Sequence, residues 1–131
     1  MNWRKEIQLF HVANHDFNAS GFNTHLISIY NELFWYHFRQ DSSKDKWFQA
    51  VQYIGAKNKA SKYKYTVEFG PVAEDFLKRS ISYSSLTHSD EEDMDYVFKL
   101  SQCFSTDLNS VRHFVAKDNS LKFRLKLEKM F

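Results

Sequence analysis

His11 and His15 lie four residues apart, the interval that sets two imidazoles on one helical face for a metal ion. A protein zinc site needs at least a third ligand. None stands at a matching interval, and the single cysteine, Cys103, rules out a Cys-based set. His25, His37, His88 and His113 occur singly, and His37 falls inside an apolar run where an imidazole serves packing. A Ser-His-Asp set is defined by geometry, not by counting residues. The chain has only three glycines, with no nucleophile elbow and no glycine-rich phosphate loop. Cys103, followed by Phe104, fits a small buried residue better than a nucleophile. The expectation is a chain with no catalytic residues, no metal and no cofactor.

Two charged segments bear on partners. Lys57, Lys59, Lys62 and Lys64 interleave with Tyr63 and Tyr65, a mixture that suits a phosphate backbone and stacked bases. In a strand, however, alternate residues face opposite ways. Lys62 and Lys64 then lie on one face and the tyrosines on the other, which disfavours nucleic acid. The acidic run Asp90, Glu91, Glu92, Asp93 fits a solvated loop. The net charge of +2 sets no strong preference.

Those residues must be positioned by a core, and the composition supplies one. The chain has 131 residues, 13 Phe, 7 Tyr and 3 Trp. One domain over 1–131 is expected at this length. With each ring able to hide about 150–250 Å², no disulfide is needed. The N-terminus lacks an apolar signal-peptide core. No apolar run approaches the roughly 20 residues of a membrane span. A soluble, cytoplasmic and/or nuclear protein without membrane contact is expected.

Period-two alternation is clean in 62–69 and 120–130, the pattern of half-buried strands. The runs LFWYHF (33–38) and WFQAVQYI (47–54) are apolar on both faces and read as central strands covered on each side. The polar link QDSSKDK joins them as a hairpin. Further strands are expected at 7–12, 25–30 and 75–83. Residues 55–61 and Gly70-Pro71 are expected as turns and 87–95 as an acidic loop. Residues 107–114 form a short helical turn in this scheme, capped by Asp107. No segment sustains a helical period, so the fold class is all-β, an antiparallel sandwich with at most a short helical turn.

The stretch WFQAVQYIGAKNKASKYKYTVEFG resembles the substrate-binding domain of Seven-in-absentia (Siah) ubiquitin ligases. Val51, Gln52, Ile54, Gly55, Ala60, Tyr63, Tyr65 and Glu68 fall in step with that pattern. The segment SVRHFVAKDNSLKFRLKL, with Asp118, Asn119 and Leu121, is similar to the end of the wider TRAF-like fold. The resemblance spans roughly 7–127. It implies an eight-stranded antiparallel TRAF-like β-sandwich that binds peptides and forms a homodimer. In the family a RING finger precedes this domain. The chain lacks the Cys and His array of a RING, so ubiquitin transfer would need a segment or partner beyond it.

The family's groove joins a first strand to a Val-Asp-Trp-like segment. By resemblance the counterparts are Glu6, Ile7, Gln8, Leu9 and Phe10, with Phe22 as a wall. Gly21 and Phe22 stand where the family has Asp and Trp. The sequence DFLKRSISYSS replaces a Trp-containing segment that contributes to the family's dimer contact. Its Phe76, Leu77, Ile81 and Tyr83 are the dimer candidates. Two alternatives stay open: a RING-less adaptor or scaffold domain, and a nucleic-acid-binding module.

Overall fold

The computed structural model describes residues 3–130, with side chains from residue 9 onward. In chain order the strands and helices are β1 (Trp3–Ala13), β2 (Gly21–Ile29), β3 (Glu32–Asp41), β4 (Lys46–Tyr53), α1 (Lys57–Ala60), β5 (Tyr63–Phe69), β6 (Ile81–Leu86), β7 (His88–Ser89), α2 (Met94–Lys99), β8 (Phe104–Thr106), α3 (Leu108–Arg112) and β9 (Ser120–Met130). One sheet has the order β1-β9-β5-β6. The other runs β2-β3-β4, with β7 and β8 both pairing with β4. The sheets stack as an all-β, TRAF-like sandwich.

Aromatic pairs show how the layers superpose. Phe10 of β1 meets His25 of β2, with ring centroids 6.3 Å apart. Phe123 of β9 meets Tyr36 of β3 at 6.2 Å, and Phe69 of β5 meets Trp47 of β4 at 6.1 Å. Tyr83 of β6 meets Phe104 of β8 at 5.8 Å. The alternation expected in the sequence is present: Tyr63, Tyr65, Val67 and Phe69 are buried, as are Leu121, Phe123, Leu125 and Leu127. A polar chain runs through this layer. Trp47 Nε1 donates to Gln49 Oε1 (2.7 Å), and Gln49 Nε2 donates to the Tyr36 hydroxyl (2.6 Å). Such satisfaction is what makes buried amides tolerable.

The β2–β3 hairpin turns on Tyr30 and Asn31, both at φ 58°. A two-residue turn of this kind needs positive φ at both central positions. Tyr30 accepts that strain while its ring stacks on Tyr63 and its hydroxyl donates to the Leu127 carbonyl at 2.6 Å. The hairpin is thereby tied to the opposite sheet. Gly70, at φ 76°, is required as glycine, because a Cβ there would lie 2.4 Å from the Arg79 carbonyl oxygen.

Several expectations are corrected. The described residues form nine strands, close to the eight expected, and three short helices where at most one helical turn was expected. The β4–β7 pair is parallel. Residues 55–61 include α1, and the acidic loop holds β7 and leads into α2, whose N-cap Asp93 accepts from the Asp95 amide. A six-residue helix presents too short a period to be read in sequence. The strand expected at 75–83 begins only at Ile81. Before it, Asp75 accepts from the amides of Leu77 and Arg79 and from the Arg79 guanidinium, which folds the backbone into a turn. Asp107 sits at the N-cap of α3 but makes no side-chain cap. The Leu108 amide donates to Asp45 instead, at 3.1 Å.

β3 was expected to be covered on both faces, and it is not. Among the described residues, α2 is the helix that packs on the outer surface of the second sheet. Its Met94, Val97 and Phe98 pack with Ala50 of β4 and with Cys103. Leu33 and Trp35 of β3 therefore remain 42 % and 37 % exposed. His37, also outward on β3, bonds Gln52 at 3.0 Å and packs its ring against Phe98. Gln52 in turn donates to the Ser89 carbonyl at 3.1 Å.

Two predictions follow from this packing. Phe123, stacked on Phe10 at 4.8 Å and buried, should cost about 3–5 kcal/mol on truncation to alanine. Lys122→Ala, on the exposed face of the same strand, should change stability by no more than about 0.5 kcal/mol. Urea unfolding of both variants checks the facing of β9. For His37, burial lowers the pKa from 6.5 despite the bond to Gln52, with Arg39 and His88 acting in the same direction as burial. The unfolded chain therefore takes up the proton first as pH falls through about 6.5. Stability should drop there and level off below the folded pKa. The His37→Gln variant should lose less over that window, as read from urea midpoints against pH.

Candidate functional site

β1 pairs with β9 on one side and with no described strand on the other. β2 likewise pairs only with β3. These two free edges lie on the same side of the sandwich, since Phe10 and His25 meet across the gap. Inward from β1 come Phe10 and Val12, both partly buried against the core. From β2 comes His25, whose ring lies 6.0 Å from Tyr36 and nearly parallel to it. The two unpaired edges thus flank an aromatic layer formed by Phe10, Tyr36 and Phe123.

The groove residues expected from the sequence are distributed over this region as follows. The side chains of Glu6, Ile7 and Gln8 lie outside the described set. Their backbone is placed, opposite Leu127, Lys126 and Leu125 of β9. Leu9 is opposite Arg124 and 77 % exposed. It borders a cavity of about 710 Å³ whose wall includes Pro71, Val72, Phe114, Lys122 and Arg124. Arg124 donates to the Gly70 carbonyl at 2.7 Å and so holds the segment after β5 against β9. Glu68 binds Lys126 (2.8 Å) and Arg124 (3.6 Å), and chiefly the Lys126 contact holds its carboxyl below the usual range.

Phe22 is not brought to this wall. In β2 the buried Ile27 defines the inward parity, so Phe22, five residues away, points outward. It is 73 % exposed and opposite Arg39. It borders a different recess, of about 700 Å³, with Phe48, Phe98, Lys44, Lys46 and Lys99. The sequence carries no local signal for this, because Gly21 to Leu26 is polar and apolar by turns with no buried residue. The dimer candidates also divide. Phe76 and Leu77 project from the turn at 95 % and 71 % exposure. Ile81 and Tyr83 instead face inward from β6 and pack on the core.

The other groups considered for chemistry are engaged in structure. His15 bonds Gln40 at 2.6 Å and packs edge-on against Trp47. His11 lies on the outward side of β1 opposite Lys122, so the two histidines do not converge. Cys103 is buried, and desolvation pushes its thiol up to about 12, well away from a reactive thiolate. Tyr63 and Tyr65 are buried while Lys62 is exposed and Lys64 half-buried, so rings and ammonium groups share no surface. Among the described residues no group of three or more His, Cys, Asp or Glu side chains could hold a metal ion. No described helix is long and apolar enough to cross a membrane.

Comparison with curated protein sequences gives no match. Comparison with protein families does. The profile of the Sina, TRAF-like domain matches residues 27–126, well over half of the chain. The matched span begins at Ile27, so it takes in the sandwich frame from β3 to β8 and leaves β1 and the exposed half of β2 outside. Two stacked sheets, the VQ-x-IG turn after β4 and the aromatic-x-Tyr strand β5 all fall within it. On this match and this architecture, the chain belongs to the Sina TRAF-like domain family.

Proposed function

We propose that this domain is a non-catalytic protein-recognition module that captures an extended segment by adding it as a strand to the free edge of β1. The observation that carries this reading is the edge itself. β1 spans 11 residues, against 9 for β2 and 6 for β6, and it offers the longest unpaired edge in either sheet. An added strand satisfies backbone groups that otherwise face water, and its alternate side chains then choose between two environments. One set lies beside the exposed Leu9 and the cavity next to it. The other turns toward the rings of Phe10 and His25. Backbone pairing supplies general affinity, and the two side-chain environments supply selectivity. A short segment buries little area, so micromolar affinity, about −8 kcal/mol, is the expected range.

In the setting of the family, this capture is the substrate-binding step of a ubiquitin ligase whose RING lies elsewhere. The same capture serves an adaptor that assembles a complex without degradation. Self-association fits the exposed Phe76 and Leu77 on their Asp75-braced turn, and a homodimer would raise avidity for multivalent targets.

Leu9→Glu places a charge beside the added strand without touching the core. It should weaken binding of a captured protein about tenfold or more, with the melting temperature nearly unchanged. Isothermal titration beside thermal melts checks this, and unaltered affinity would remove β1 from the site. For self-association, light scattering should show a mass that rises with concentration in the native chain. Phe76→Glu with Leu77→Glu should abolish that rise.

A further inference from the structure

Phe22 belongs to a second surface with a different chemistry from the β1 edge. On the outer side of the second sheet, Leu26 lies opposite Trp35 and Ser28 opposite Leu33. Leu26 is 54 % exposed, and together with Phe22, Trp35 and Leu33 it makes an apolar stripe along the β2–β3 hairpin. Contiguous exposed apolar area of this kind marks interaction sites more often than scattered surface residues do. The stripe is bare because α2 covers β4 and, on β3, meets only His37 and Arg39 among the described contacts.

At the Phe22 end the stripe runs into the recess floored by Phe48 and Phe98. The charges on its rim are unevenly committed. Arg39 pairs with Asp95 and lies over the Phe98 ring, 4.5 Å from its centroid. Asp41 accepts from the Ser43 hydroxyl and the Lys44 amide within its own turn. Lys44, Lys46 and Lys99 are exposed, and none of them is in an ion pair among the described residues. Arg39, Lys44, Lys46 and Lys99 thus outnumber Asp41 and Asp95 around the recess, so its net charge is positive, next to Phe48 and Phe98.

We infer that this face docks an acidic, extended segment of another protein, which sets carboxylates against Lys44, Lys46 and Lys99 and apolar side chains against Phe22, Leu26 and Trp35. The segment is extended because β2 is an edge strand, exposed from Gly21 to Leu26, and can receive it along its length. A nucleic acid suits the face less well. A phosphate backbone needs cations along its path, whereas the stripe beyond the recess continues with Leu26, Trp35, Leu33 and uncharged Thr24 and Ser28. This surface is independent of strand addition at β1, so either proposal can fail alone.

The test is a fluorescence-anisotropy titration of the full chain. The probe is a short dye-labelled peptide alternating Glu with Leu and Phe, and its counterpart carries Lys for Glu. The acidic probe should bind with micromolar Kd that weakens as salt rises, and the basic counterpart should not bind. Lys44→Glu with Lys46→Glu should weaken the acidic probe about tenfold or more, and Phe22→Ala about fivefold. Leu9→Glu should leave it unchanged. All these positions are exposed, and melting curves confirm that each variant folds. Absence of binding, equal binding of both probes, or indifference to the lysine reversals would overturn the inference. So would tighter binding of a single-stranded oligonucleotide or of phosphatidylserine vesicles than of the acidic probe. Concentration-dependent self-association abolished by Phe22→Ala would assign the face to a second copy, and would overturn it too.

Discussion

The interlayer of aromatic rings is the constraint on which the rest of this structure depends. The chain has one cysteine and can form no internal disulfide, so the sheets are held by non-covalent contacts, ring packing foremost. Across the two sheets, Phe10 and Tyr36 approach to 5.1 Å between centroids, Phe34 and Tyr63 to 5.1 Å, and Tyr53 and Tyr63 to 5.3 Å. Each contact adds directional preference to the area it removes from water. Because strand side chains alternate, fixing one ring in the interlayer fixes the facing of its whole strand. Phe123 inward means Lys122 and Arg124 outward, and Ile27 inward means Phe22 outward.

A sandwich packed this way does not close, so edges remain and surfaces follow from what fails to cover them. The N-terminal strand and the first hairpin strand are both left unpaired on one side, above the same aromatic floor. Among the described residues, the helix over the second sheet covers β4 and meets His37 and Arg39 of β3, and it leaves Phe22, Leu26, Leu33 and Trp35 exposed. The two proposed surfaces are thus by-products of one packing scheme. One is an edge that offers backbone, and the other is a face that offers rings and lysines. The family match stops short of both β1 and most of β2.

How far the sequence disclosed this varies by segment, for physical reasons. In β5 and β9 apolar and polar residues alternate because one face is buried in the core and the other is polar and partly open to water, and both strands are legible to within a residue. The run WFQAVQYI also disclosed a strand covered on both sides. The similar run LFWYHF did not behave the same way, because cover comes from a distant six-residue helix whose reach no local pattern encodes. The segment around Asp75 looked like alternating apolar residues but folds as a turn through side-chain bonds to backbone amides. Phe22 was assigned by resemblance to the groove of the first strand. Its true facing depends on Ile27, five residues on, and on which sheet that residue caps.

Native-state amide exchange on the isolated chain tests the central claim most directly. If β1 presents a free edge, alternate amides along 3–13 that point away from β9 should exchange quickly, while β9 and β5, paired on both sides, should be protected throughout. Adding a captured protein should then protect those β1 amides. Uniform protection along β1 in the isolated chain would mean the edge is already occupied, and would contradict the account.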